Sequence, residues 1–191
     1  MAASISKQLI FNYAADELYP LVLEGVHFLQ QKTAMEDGVL PKVKLVLMEL
    51  LTNALKHNGG AQTEVWLQVD KGNIIIKKTD KGNPLVIHCG GINHEWPLPG
   101  NHQAGRKVCI YSGNGSNLNA AVKNNCLVQF LVEETGPEET DLLRLPEHFG
   151  LMIIARACSR FAYEFDIDTC TNTFTAVIPL TDSTINDKYD K

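Results

Sequence analysis

Apolar residues recur every three to four positions between Pro41 and Asn58, in the run P-K-V-K-L-V-L-M-E-L-L-T-N-A-L-K-H-N. Val43, Val46, Leu47, Leu50, Leu51, Ala54 and Leu55 share one face at that spacing, and Leu45 and Met48 widen it. The pattern predicts a helix buried on more than one side. Pro41 suits a first turn, where its missing N–H is no loss, and Gly59-Gly60 suits the stop. Ahead of this helix, Lys7 to Tyr13 alternates partially and predicts a short strand. A second helical pattern opens at Asp16, runs through Leu18, Leu21, Val22, Val26 and Leu29, and fades by Met35. Pro20 is tolerable in it only in or near the first turn.

Beyond the central helix the period changes to two. Val65, Leu67 and Val69 alternate, Asp70-Lys71-Gly72-Asn73 turns, and I-I-I-K-K-T returns, which predicts an antiparallel hairpin from Thr63 to Thr79. Arg106 to Tyr111 and Cys126 to Glu133 read as strands. Between them, S-G-N-G-S-N-L-N-A-A-V-K-N-N reads as a wide hairpin loop or a short surface helix. The run L-M-I-I-A-R-A-C-S-R-F reads as a helix with an apolar majority. Phe161 to Ile167 and Thr173 to Leu180 make a second hairpin around Asp168 to Asn172, before a polar tail from Thr181.

With 191 residues there is room for one generous domain and a substantial core. A net charge of −5 and the lack of any basic stripe argue against a nucleic-acid surface. No apolar run is long enough to span a bilayer, and the N-terminus lacks the charged-then-apolar secretory pattern. The five cysteines are scattered and never paired as C-x-x-C, which favours a reduced, cytoplasmic setting.

Glu49 and Asn53 lie four residues apart and so stack one turn above the other beside the apolar stripe. They either face solvent or line a site; a hydrated magnesium ion, which binds few protein oxygens, could use such a face. Asp80-Lys81-Gly82-Asn83-Pro84 is either ordinary turn vocabulary or a carboxylate placed for a purine amino group, with Gly82 letting backbone approach the ring. His88, Cys89, His94 and His102 match no familiar zinc-ligand spacing. Gly113 and Gly115 fall short of any full phosphate-loop motif. Gly150, at the mouth of the last helix, is a candidate phosphate seat beside His148.

The order of these pieces is more specific than any one of them. E-L-L-T-N-A-L-K-H, then a hairpin ending in D-K-G-N-P, then H-F-G-L-M-I-I-A-R-A, then N-T-F-T-A-V-I-P resembles the gyrase, histidine-kinase and MutL (GHKL) ATP-binding family. The matching blocks run from about Val43 to Leu85 and from Phe149 to Leu180. Within it, the leading strand and helix look most like the bacterial anti-sigma-factor serine kinases. The resemblance implies an α/β (α+β) two-layer sandwich, with a mixed, mostly antiparallel sheet and helices on one face, the Bergerat-type fold. One such domain would span residues 1–180, with an insertion at about 87–146.

It also implies roles. Asn53 would hold Mg2+ through its side-chain oxygen, and Glu49 would orient or deprotonate the nucleophile. Lys56 would reach a phosphate, and Asp80 would take the adenine amino group of ATP with Gly82 beside it. His148, Gly150 and the helix after them would line the phosphates, and Thr173, or its neighbour Asn172, would support the adenine end. The implied activity is an ATP-dependent serine kinase or ATPase that switches or phosphorylates a protein partner, such as a sigma factor or antagonist-like regulator. A second copy of the chain is a further candidate partner. Two alternatives go with it: a degenerate GHKL module that binds protein but holds ATP poorly, and a stand-alone histidine-kinase catalytic domain. The chain departs from the family pattern at Pro84 and His148, where members carry glycine, and at Thr171-Asn172, where they carry a glycine-threonine pair. The stretch from Ile87 to Pro146 is also longer than the mobile lid that usually closes over ATP.

Overall fold

The computed structural model describes residues 5–57, 62–89, 92–96, 104–113, 115–136 and 149–181. In chain order the elements are β1 (Ile5–Phe11), α1 (Ala15–Lys32), α2 (Val39–His57), β2 (Thr63–Asp70), β3 (Asn73–Lys81), β4 (Val86–Cys89), β5 (Ile92–Glu95), β6 (Lys107–Gly113), β7 (Ser116–Val122), β8 (Leu127–Glu134), α3 (Phe149–Ala157), β9 (Arg160–Asp166) and β10 (Thr171–Pro179). Eight strands form one sheet in the order β1-β2-β3-β10-β9-β8-β7-β6, while β4 and β5 pair only with each other. The fold is α+β, an eight-strand antiparallel sheet with three helices packed against it. Every ladder among the described strands is antiparallel, where the resemblance implies a mixed sheet. For β2–β3, β6–β7, β7–β8 and β9–β10 the cause is local: turns of a few residues are too short for the crossover that a parallel pair needs.

The central helix forms from Val39 to His57 with Pro41 inside the first turn, but Leu45 and Leu55, read as part of its apolar face, are exposed. Val39, Val43, Val46, Leu47, Leu50, Leu51 and Ala54 are buried along it. On one flank Lys44 reaches α1, donating to the Tyr19 hydroxyl at 3.3 Å. Glu49 and Asn53 lie on the opposite flank. In α1, Pro20 is the sixth residue, one turn deeper than its chemistry prefers. Its ring is exposed, so no side-chain packing is lost there.

Gly25 lets α1 lie close to the sheet. A methyl group at this position would stand 2.9 Å from Leu67 Cδ1, 3.1 Å from Leu9 Cδ1 and 3.3 Å from Leu47 Cδ1. These contacts identify the helix-facing side of the sheet. Leu9 and Leu67 lie on it, and cross-strand register then puts Thr63, Lys78, Asp80, Asn172, Phe174 and Tyr163 on the same side.

The β2–β3 hairpin turns through Lys71 and Gly72, at φ 45° and 77°, the pair of positive values that a two-residue turn between twisted strands requires. The second hairpin, β9–β10, also forms as read. The stretch between β6 and β8 does not. It is β7, a strand inside the sheet, with Ser116, Leu118, Asn119, Ala120, Ala121 and Val122 buried. Its small and amide side chains blur the alternation that marks a strand, so its composition reads as loop. Gly113 and Gly115, with φ of 154° and 69°, shape the turn that leads into it.

Candidate functional site

Two polar clusters lie where helices and sheet meet. The first joins α2 to α3. Gly150, in the first turn of α3, faces the flank of α2 so closely that a methyl group there would stand 2.7 Å from Glu49 Oε2. The same group would be 3.6 Å from both Oδ1 and Nδ2 of Asn53. Glu49 and Asn53 are therefore half-buried against α3 and do not simply face solvent. The unpaired N–H groups and positive dipole of a helix start favour negative charge, and here they stand beside the Glu49 carboxylate. Lys56, three residues after Asn53, lies exposed in the last turn of α2. His148 falls outside the described residues.

The second cluster crosses three strands. Thr63, Asp80 and Asn172 stand side by side on β2, β3 and β10, at 0%, 6% and 6% exposure. Asp80 forms an ion pair with Lys78, two residues earlier on the same face and itself only 4% exposed. The Lys78 ammonium also lies 5.2 Å from the centre of the Phe174 ring. Burial pulls its amine below the ordinary value of 10.5, while the Asp80 charge pulls it back up. Tyr163 donates its hydroxyl proton to Asn172 Oδ1 at 2.7 Å and accepts the Leu85 N–H at 2.8 Å. Asn172 Nδ2 donates to the carbonyl of Asn83 at 3.1 Å. Burial raises the Tyr163 hydroxyl's pKa, so it stays protonated as a donor.

Not all of the expected positions join these clusters. Thr173 pairs with Thr79 and lies on the opposite face of the sheet from Asp80, whereas its neighbour Asn172 lies on the same face as Asp80. The reason is the two-residue period of a strand, in which one step changes the face. Gly82 holds φ 151°, a conformation that side-chain-bearing residues rarely adopt, and donates its N–H to the carbonyl of Cys170 at 3.0 Å. This conformation shapes the exit of β3.

Lys78, Tyr163 and Trp96 complete the second cluster and were not legible as site residues. Trp96 follows the β4–β5 hairpin, is fully buried, and meets Tyr163 edge-on at 5.8 Å between ring centres. Its backbone N–H reaches the carbonyl of Leu85 at 3.3 Å. Trp96 Nε1 and Asp80 Oδ2 are buried without a hydrogen bond of good geometry, so Asp80 depends on its ion pair. One signal for Lys78 was present in the sequence: it falls on the inward register of Ile74 and Ile76, ahead of a carboxylate on that register. An inward lysine needs a partner, and Asp80 is the nearest by spacing. Among the described residues no group of histidine, cysteine and carboxylate side chains is arranged to hold a metal ion by itself. Also among them, no helix is long and apolar enough to cross a membrane. Compared with models of known protein families and with curated proteins, the chain matches none.

Proposed function

We propose that the chain is an ATP-binding regulatory module with the Bergerat-type arrangement, helices on one face of the sheet, acting on a protein partner. The observation that carries this reading is the meeting of Glu49 and Asn53 with the first turn of α3 at Gly150. A carboxylate, a carboxamide and a helix start form a seat where phosphate oxygens and a hydrated Mg2+ could be shared. Asn53 would hold the ion, Glu49 would orient the attacking hydroxyl or water, and Lys56 would reach a phosphate. Magnesium would supply charge neutralisation; positioning is the protein's share. The Asp80 carboxylate would take an amino group of the base, for which Lys78 would have to release Oδ2.

Lys78 favours a second reading, the degenerate protein-binding module. Its ammonium already pairs with the carboxylate that adenine would need. Thermal denaturation with and without Mg-ATP separates the two. Nucleotide at a hundred times its dissociation constant should stabilise the fold by about 2.7 kcal/mol. Asn53→Ala should remove the magnesium-dependent part of that gain. Unchanged stability at millimolar Mg-ATP would reject the nucleotide reading and leave the second.

A further inference from the structure

The sheet has a notch that no described strand fills. β8 pairs with β7 as far as Glu134, opposite Ser116, but with β9 only as far as Phe130, opposite Phe161. β9 begins at Arg160, where the chain has just left α3, so among the described strands the last residues of β8 have a neighbour on one side only. Hydrogen bonds at both ends of β8 show which groups face the gap. Phe165 N–H donates to the Cys126 carbonyl across the β9 side, and Thr135 N–H donates to the Gly115 carbonyl across the β7 side. Because N–H and C=O of one residue point the same way in an antiparallel strand and alternate along it, Val132 and Glu134 turn theirs toward the gap. A cleft of about 310 Å3 lies there, lined by Val132, Glu134, Arg156, Ser159 and Arg160 among others.

We infer that this notch binds an extended, acidic peptide segment of a protein partner by strand addition alongside Val132 and Glu134. Unpaired strand edges are templates for such pairing, with main-chain hydrogen bonds giving affinity and flanking side chains giving selectivity. The flanking charges select the partner. Arg156 lines the cleft from α3, and Arg160 lies on the sheet face opposite Phe161. Successive residues of an added strand point to opposite faces, so neighbouring carboxylates would meet the two arginines in turn. Glu134 already pairs with Arg156 through Nη2 at 3.1 Å, so the lining keeps a surplus of one positive charge in a chain of net charge −5. This inference does not depend on nucleotide binding.

The test is titration of the isotope-labelled full chain with a blocked hexapeptide, Val-Glu-Glu-Val-Glu-Glu, whose adjacent glutamates point to opposite faces of a strand, read by amide NMR shifts. Shifts should centre on Val132, Glu134 and Arg160. The Arg160→Glu variant, exposed and outside the core, should weaken binding about five- to tenfold. A backbone N-methylated form of the same peptide should not bind, since it cannot pair with a strand. Equal binding of a valine–lysine peptide or of the methylated peptide would overturn the proposal. So would shifts centred on β1 or β6, or no shift at millimolar peptide.

Discussion

At Asp80 the polar groups are wrapped in core: Thr63, Lys78, Asp80 and Asn172 are each 6% exposed or less, Lys78 pairs with Asp80, Thr63 bonds the Tyr13 hydroxyl, and Asn172 bonds Tyr163 and the Asn83 carbonyl. At Glu49 and Asn53 the groups are half-buried and lean on a glycine at a helix start. The first arrangement is held in place by the cost of leaving any member unpaired. The second is held only by the approach of α3, and its side chains keep room to move. Under the proposed function, recognition would therefore fall to the rigid sheet end and chemistry to the helix end.

The sharpest way to break this contrast is to remove one member of the buried ion pair. Lys78→Met or Asp80→Ala should destabilise the fold by about 3–5 kcal/mol, because each strands a buried charge. The Lys78→Met/Asp80→Leu pair should recover most of that loss. Chemical denaturation measures both. The pH dependence has a definite sign. Between the depressed folded pKa of Lys78 and 10.5, the unfolded chain holds a proton that the folded chain has released. Stability should rise with pH through that window and be lost as pH falls through the folded value. The doubly substituted chain should lack this slope.

Next in size is Tyr163→Phe, which orphans the Leu85 N–H and one acceptor of Asn172 and should cost about 2–3 kcal/mol by the same measurement. The two glycines give the finest comparison. Gly25→Ala forces a methyl group among three packed leucines and should destabilise by about 1–2 kcal/mol after the helix-propensity gain. Gly150→Ala meets the flexible end of Glu49, so stability should move by less than about 1 kcal/mol. Under the proposed function, the displaced carboxylate should lower phosphoryl transfer nonetheless. A large loss of stability at Gly150 would mean that the helix junction is as rigid as the sheet end.

How much of this was legible follows from where each signal sits. The central helix announces itself through seven apolar positions at one spacing, and Glu49 and Asn53 are placed by that same spacing. The β2–β3 hairpin is read from alternation and a Lys-Gly turn. β7 is hidden because Asn117, Asn119, Ala120 and Ala121 carry no strand preference and gain their place from neighbours on both sides. The choice between Asn172 and Thr173 depends on pairing register with β3, which no local pattern prints. Trp96 is placed by long-range packing on Tyr163, 67 positions later in the numbering, from 96 to 163. Local periodicity thus reveals what one segment does alone, and the buried polar cluster exists only between segments.

The neighbour of β3 in the sheet is β10, so every residue from Gly82 to Cys170 is threaded between two adjoining strands. Until β10 emerges from the ribosome, β1–β2–β3 and β6–β7–β8–β9 are two half-sheets with raw inner margins and nothing to zip them. Pairing of the two must then wait for β10, and a chain cut before Thr171 would present both margins to any sticky neighbour. Chaperone demand in the cell should accordingly peak just before β10 is made.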